Sequence, residues 1–212
     1  YIERLTGEGI VVSIGHTKAT TEQIAGAVRA GASMSTHLGN GAHYVLPRHR
    51  NYILDQLAED KLAAGFIVDG IHLSDSFLRV ALRSKGLERS VLVTDAVMPA
   101  GSAPGRYRLG GVDVELHAGN RVTLVGDERL AGSALSMDRG VENLVKLGGL
   151  TLAQALTLVT RNPARVARIA GRQKGLAPGE RADLVLFRFD EAACRIEVEQ
   201  TYLGGELVYS KY

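Results

Sequence analysis

The stretch Val91-Leu92-Val93-Thr94-Asp95 decides the fold prediction, because it is a short apolar run, rich in β-branched residues, that ends on a carboxylate. Three earlier runs have the same design, and they are residues 10–14 before His16, 33–36 before His37, and 64–68 before Asp69 and His72. Helix-like stretches separate these runs. Strands that alternate with helices predict a parallel sheet, since each crossover needs a helix to return the chain. In a (β/α) barrel all strand ends open on one face, where the catalytic residues collect.

These four strands are half the number that closes a barrel. We therefore expect an α/β fold in which residues 1–170 form the second half of a (β/α)8 TIM-type barrel. Short alternating runs around Gly110-Gly111 and Gly119-Asn120 predict a β-hairpin insertion near residues 105–128. The tail, residues 171–212, is β-rich and has a Gly204-Gly205 turn, which predicts the C-terminal part of a small β-sandwich domain.

Composition excludes several classes of protein. The 25 basic residues are interspersed with 23 acidic ones, which argues against nucleic-acid binding. The one cysteine, Cys194, rules out an internal disulfide framework and a cysteine-built zinc site. No apolar run reaches the ~18 residues of a membrane span, and no secretory leader is visible. We therefore expect no membrane partner and a cytoplasmic location.

Two histidines are the candidate metal ligands. His16 and His37 follow adjacent predicted strands, so their imidazoles can converge on one cation, and neutral imidazole suits zinc. Either histidine alone would more often be a loop residue bonded to a carbonyl, but two at equivalent strand ends favour a metal. Asp95 stands at a third strand end, where it could accept a proton from metal-activated water and return it to a leaving group. The alternative for Asp95 is a capping role in a loop.

The long loop after His37 is the candidate anion site. Its backbone N–H groups at Asn40 and Gly41, together with the Arg48 guanidinium, could hold a phosphate. Ordinary solvated loop polarity is the alternative. His72 could polarise a carbonyl or bind a sugar hydroxyl, or it could be a surface turn residue.

Several of these motifs, in this order and spacing, resemble those of the N-acetylglucosamine-6-phosphate deacetylases, which are amidohydrolases. The matching segments are Ser13-Ile14-Gly15-His16-Thr17, Thr36-His37-Leu38-Gly39-Asn40, Asp69-Gly70-Ile71-His72, Val93-Thr94-Asp95-Ala96 and Leu130-Ala131-Gly132-Ser133. The later segments 162–165, 175–179 and 182–185 resemble the closing part of amidohydrolases in general. Together these motifs span almost the whole chain.

The resemblance implies hydrolysis of N-acetylglucosamine-6-phosphate to glucosamine-6-phosphate and acetate, with a divalent metal, expected to be zinc. It implies a role for each candidate: metal ligands His16 and His37; catalytic acid/base Asp95; His72 beside the scissile amide, stabilising the oxyanion; phosphate ligands Asn40 and Gly41; and Leu130 to Ser133 lining the acetyl end. Arg48 matches an arginine that reaches the phosphate in a neighbouring subunit, which implies a homodimer.

The sequence departs from this family in two places. The family usually reads Asn-Ala-Met where this chain has Asn40-Gly41-Ala42. The glutamate that completes the family's metal site lies upstream of Tyr1, so the chain contains two of three expected ligands. Two other interpretations stay open: an amidohydrolase acting on another amide or a cyclic imide, and a catalytically inert half-barrel that serves as an assembly module.

Overall fold

The computed structural model describes all 212 residues, which form three separate sheets. The first is parallel and has the order β1-β2-β3-β4, so strands that follow each other along the chain are also neighbours in the sheet. Its strands are β1 (Ser13–Ile14), β2 (Met34–Ser35), β3 (Ala63–Ile67) and β4 (Ser90–Val93). The sheet and its crossover helices confirm the predicted α/β class. No helix is both long enough and apolar enough to cross a membrane.

Seven α-helices accompany the strands. They are α1 (Ile2–Gly7), α2 (Thr21–Arg29), α3 (Tyr52–Ala58), α4 (Asp75–Lys85), α5 (Met137–Lys146), α6 (Leu152–Val159) and α7 (Arg161–Val166), with a 3₁₀ turn at Leu87–Arg89. Local chemistry sets their starts: Thr20 forms a capping box with Gln23, and the Ser74 hydroxyl accepts the Phe77 N–H. Helices α2, α3 and α4 are the crossovers that connect the parallel strands.

The second sheet is antiparallel and interrupts the βα order after β4. It contains β5 (Gly105–Leu109), β6 (Val112–Leu116), β7 (Arg121–Leu124) and β8 (Leu130–Ser133) in sequential order. A small core of Val114, Leu116, Val122 and Ala134 supports it. Its last strand returns to the parallel sheet, because the Val97 N–H donates to the Ser133 carbonyl at 2.9 Å and the Ala96–Ser133 bridge is parallel.

The third sheet is the β-rich tail. Its order is β11-β10-β9, from β9 (Leu184–Asp190), β10 (Arg195–Leu203) and β11 (Glu206–Ser210), all antiparallel. One side packs on the main core through Phe187, Phe189 and Val198. The buried Glu142 carboxylate of α5 accepts the Ile196 N–H at 2.8 Å, which ties this sheet to the helices.

The main core lies between the parallel sheet and its helices. Phe66, Leu92, Leu144 and Leu158 are among its fully or nearly fully buried members. All five residues of β3 are buried, as expected for a parallel strand covered on both faces. Burying each large apolar side chain contributes roughly 1.5–3 kcal/mol to folding, so this core fixes the strand ends that carry the candidate site.

Candidate active site

His16 and His37 lie side by side at the ends of β1 and β2. Their ring centroids are 4.7 Å apart and their planes are inclined by 55°. Parallel pairing of Ser13 with Met34 and of Ile14 with Ser35 brings the two strand exits level. Nearby hydroxyls have their own partners, since Ser13 Oγ lies 2.6 Å from Thr36 Oγ1 and Thr17 Oγ1 accepts the Ala19 N–H. The two rings are therefore available to a ligand.

A small cavity adjoins the two rings. Its volume is about 20 Å³, enough for one water molecule or one ion, and its walls include His16, His37, Asn40 and Gly41. Two nitrogen ligands of a tetrahedral zinc stand roughly 3–4 Å apart, because each Zn–N bond is about 2.1 Å. The ring centroids, 4.7 Å apart, place the two imidazoles close enough together to share one ion.

Gly41 allows the loop to approach His16 closely. A Cβ atom at this position would lie 2.2 Å from His16 Cε1, and the backbone φ is +62°. Both features favour glycine over any other residue. With the His16 ring where this structure has it, position 41 therefore accepts only glycine without a shift of the ring or the loop.

His37 and Asp95 share an unusual backbone conformation. Their φ angles are +28° and +50°, and only three other non-glycine residues have positive φ. Such conformations cost free energy and persist where the surrounding structure imposes them. Each lies two residues beyond the end of a parallel strand, His37 after β2 and Asp95 after β4.

Asp95 is exposed at the same edge of the sheet, beyond β4. Since β4 is two strands from β2 and neighbouring strands are about 4.8 Å apart, its backbone is on the order of 10 Å from that of His37. The Ser133 N–H donates to the Asp95 carbonyl at 3.2 Å, which holds this exit in place. No group of three or more His, Cys, Asp or Glu side chains is placed to hold a metal, so Asp95 does not join the two candidate ligands His16 and His37 in one cluster.

His72 forms a buried pair with Asp69. Its Nδ1 lies 2.6 Å from Asp69 Oδ2, and the side chains are 2% and 6% exposed. Burial raises the pKa of Asp69, but hydrogen bonds from the His72 side chain and from the backbone N–H groups of His72 and Ile71 outweigh it and leave the pKa below its usual value. Asp69 is therefore a carboxylate at neutral pH.

The loop after His37 forms one wall of a second, larger groove. This groove has a volume of about 450 Å³ and is lined by Gly39, Ala42, Leu46, Asn51, Ile53, Leu54, His72, Leu73, Ser74 and Phe77. Asn40 is partly buried and its N–H donates to the His37 carbonyl at 2.9 Å, whereas Arg48 is exposed. The groove thus connects the loop that carries Asn40 and Arg48 with His72.

Leu130 and Ser133 lie on β8. Leu130 is partly buried, and Ser133 is 1% exposed with its hydroxyl accepting the Leu135 N–H at 2.9 Å. The contacts of Ser133 in this structure are thus with the backbone on both sides, including that of Asp95.

Asp69 is the site residue that sequence reasoning missed as a participant. The available signal was its position three residues before His72, with Gly70 between them. A carboxylate at that spacing can accept the backbone N–H groups of the turn and still reach the ring.

Comparisons with known proteins show which family this chain resembles. The sequence pattern that defines the Amidohydrolase family matches residues 3–208. An N-acetylgalactosamine-6-phosphate deacetylase of Escherichia coli O157:H7 is 34% identical over 206 residues, covering 97% of this chain and 52% of that protein. An N-acetylglucosamine-6-phosphate deacetylase of Bos taurus is 37% identical over 218 residues, covering 98% of this chain and 50% of that protein.

A solved structure is also similar. It is a mutant of the N-acetyl-D-glucosamine-6-phosphate deacetylase of Mycobacterium smegmatis in complex with N-acetyl-D-glucosamine-6-phosphate. The TM-score is 0.88 at 31% sequence identity, and the alignment covers 99% of this chain and 54% of that one. The chain spans about half the length of the curated relatives it matches.

Proposed function

The chain belongs to the amidohydrolase family, and we propose that it carries the metal-binding and acid–base part of an N-acetylglucosamine-6-phosphate deacetylase. The reaction is hydrolysis of the N-acetyl group to give glucosamine-6-phosphate and acetate. The observation that carries the proposal is the pair of imidazoles, 4.7 Å apart, at the ends of two adjacent parallel strands. The relatives and the solved structure, whose names state this class of substrate, support it.

The proposed architecture is the second half of a (β/α)8 barrel with part of a small β-sandwich domain. In this proposal residues 1–170 form the barrel part, residues near 105–128 are an insertion, and residues 171–212 belong to the β domain. The sequential parallel order of β1 to β4 supports the barrel part. The separate antiparallel order of β9 to β11 supports the β domain.

His16 and His37 would hold a divalent ion, with zinc as the expected metal. Their spacing and the adjoining cavity fit one ion, but zinc in a catalytic site takes three protein ligands. A third ligand must therefore come from outside the described pair, and the proposal assigns it to another part of the protein. When bound, the ion would activate water and polarise the amide carbonyl.

Asp95 would carry the proton in this reaction. Its exposed carboxylate would take a proton from the attacking water and give it to the leaving amine. His72 would contact the amide and, in the form with a proton on both ring nitrogens, stabilise the negative charge that develops on the amide oxygen. Leu130 and Ser133 would lie at the acetyl end, with Ser133 acting at least through its hold on the Asp95 backbone.

Asn40, Gly41 and Arg48 would bind the sugar phosphate. The expectation that the backbone N–H of Asn40 holds the phosphate is corrected, because this N–H donates to the His37 carbonyl, so Asn40 would act through its side-chain amide. Arg48 is exposed, so its guanidinium is within reach of a ligand from solvent. The proposal includes a homodimer in which this arginine reaches the phosphate bound by the other subunit. It also includes a cytoplasmic location, as suits an enzyme that acts on a small phosphorylated sugar.

Deacetylation assays with matched substrates test this function. We expect the zinc-loaded protein to release acetate from N-acetylglucosamine-6-phosphate much faster than from N-acetylglucosamine, because only the first engages Arg48. The Asp95→Asn variant should lose at least about 100-fold in turnover while its zinc content stays the same. Equal rates on both sugars would contradict the proposed phosphate site. Full activity of the Asp95→Asn variant would contradict the proposed role of Asp95 in proton transfer.

One observation favours a second substrate of the same class. The Escherichia coli relative, 34% identical to this chain, is named for N-acetylgalactosamine-6-phosphate. Assaying the two phosphorylated sugars side by side would separate them. Activity only on another amide or a cyclic imide, or no zinc uptake by a folded sample, would instead favour the other two interpretations.

A further inference from the structure

The Asp69–His72 pair follows β3, the neighbour of β2, and has the features of a built site. The ring and the carboxylate are almost completely buried and lie 2.6 Å apart. His72 also lines the groove of about 450 Å³ that the Asn40 loop borders. A buried histidine on a groove, with one nitrogen already engaged, has a defined nitrogen left for a ligand.

The two oxygens of Asp69 have different partners. Oδ1 accepts the N–H groups of Ile71 and His72, at 2.8 and 2.9 Å, and so closes the turn. Oδ2 contacts only the ring, at Nδ1. The hydrogen bonds hold the pKa of Asp69 below its usual value despite burial, so this oxygen is an acceptor. An acceptor at 2.6 Å requires a proton on Nδ1.

We propose that Asp69 is the positioning residue of His72, fixing its proton on Nδ1 and leaving Nε2 as the nitrogen that meets the ligand. The inference rests on the proposed function in one respect, which is that the ligand is the scissile amide of an amino-sugar phosphate. A ring held in this way accepts a hydrogen bond at Nε2 when neutral. It donates there only when it carries a second proton, and the Asp69 carboxylate then balances the added charge.

The segment around this pair is fixed independently. Val68, the residue before Asp69, is 1% exposed, and its carbonyl accepts Asn143 Nδ2 at 2.7 Å. Gly70 has a φ of +76°, which gives the turn its shape. The fixed backbone keeps Nδ1 of His72 facing Asp69. Whether Nδ1 carries a proton therefore depends on whether the side chain at position 69 accepts or donates a hydrogen bond there.

Asp69 could instead matter only as a turn residue, through Oδ1. The Asp69→Asn variant separates these roles. Its amide oxygen can still accept both backbone N–H groups, so the turn is kept, whereas its amide nitrogen is a donor facing Nδ1. A donor opposite Nδ1 forces that nitrogen to give up its proton, and the proton moves to Nε2.

The experiment is a ¹⁵N–¹H correlation spectrum of the histidine rings in the full chain, recorded above pH 8 without any substrate. The His72→Gln variant identifies the His72 signals by their loss. The ring of His43, whose Nδ1 lies 2.7 Å from the Tyr52 hydroxyl, serves as a reference within the same spectrum. Asp75→Asn, the same substitution at an exposed position of α4, is the matched control.

We expect a protonated Nδ1 for His72 in the unmodified chain and in Asp75→Asn, and an unprotonated Nδ1 in Asp69→Asn. An unprotonated Nδ1 in the unmodified chain would overturn the proposal without any variant. The proposal would also be overturned if the His72 ring signals of folded Asp69→Asn were the same as those of the unmodified chain. The spectrum does not depend on turnover, so absence of deacetylation would count against the proposed function and leave this tautomer assignment standing.

Discussion

At the scale of single residues, Gly132 links the second sheet to Asp95. A Cβ atom there would lie 2.3 Å from Val97 Cγ1, and the φ of Gly132 is +93°. Its neighbour Ser133 hydrogen-bonds to the backbone of both Asp95 and Val97. Because Gly132 has no side chain, β8 can approach the segment after β4 closely and hydrogen-bond to it. This segment contains Asp95, the residue proposed to transfer the proton.

Gly132→Ala should therefore destabilise the protein by about 2–4 kcal/mol, as the sum of a left-handed backbone penalty and overpacking against Val97. Gly119→Ala is the control, because Gly119 has a similar φ of +88° and nothing within 4 Å of its Cβ position. That variant should lose only about 1 kcal/mol. Urea unfolding measures both, and equal losses would mean that close packing at Val97 contributes nothing.

The site residues differ in how well sequence could predict them. His16 and His37 were predictable as neighbours, because parallel strands place their exits at one edge. For the Asp69–His72 pair the spacing was the only signal, because the contact itself depends on a turn whose shape needs Gly70 in positive φ. The approach of Gly41 to the His16 ring also depends on the path of a long loop, which no local pattern encodes.

At the scale of secondary structure, side-chain caps set the helix starts, whereas the first two strands are shorter than the sequence predicts. Thr20 and Ser74 cap their helices, since their hydroxyls accept N–H groups that the first turn leaves free. The first strand was expected at residues 10–14 but is Ser13–Ile14. A strand is defined by its partner, and β2 pairs with only two residues of it.

Lys85 stabilises the end of α3 from the neighbouring helix α4. It is 1% exposed, and its ammonium donates to the carbonyls of Gln56 and Glu59 at 3.0 and 2.7 Å. Burial, together with the nearby charge of Arg89, lowers the pKa of Lys85 to about 8 from an ordinary 10.5. Keeping this ammonium charged at neutral pH therefore lowers the free energy of unfolding.

This pKa predicts how stability changes with pH. Between pH 8 and 10.5 the unfolded lysine keeps its proton while the folded one loses it, so the free energy of unfolding rises with pH. The total rise in the free energy of unfolding that Lys85 causes is about 3 kcal/mol at most. Urea unfolding at pH 7.5 and 10 should show this rise in the unmodified protein relative to Lys85→Met, in which nothing titrates at that position. A difference between the two proteins that is constant with pH would contradict the lowered pKa.

At the scale of the whole molecule, the surface contains apolar area that a single chain leaves open. Large apolar side chains of β9 and β11 are exposed, and they are Leu184, Val185, Leu186, Leu207, Val208 and Tyr209. In the tail sheet both β9 and β11 are edge strands. Unpaired edges and apolar patches of this kind favour association.

We expect sedimentation velocity to show association that increases with protein concentration. Replacing Leu186 and Val208, which are 52% and 56% exposed, by lysine should weaken it, because charge on an edge or a face opposes pairing. Lysine at Val80, 58% exposed on α4, is the control and should have no effect. A monomer at all concentrations would show that this surface does not drive self-association.

The central claim is that His16 and His37 bind one metal ion together, and zinc titration calorimetry tests it most directly. The comparison uses the unmodified chain, the double variant His16→Ala with His37→Ala, and the control His117→Ala, whose ring contacts Thr123 in the second sheet. We predict one zinc per chain in the unmodified protein and the control, and an affinity at least roughly tenfold weaker in the double variant. Equal zinc affinity in all three proteins would contradict the account.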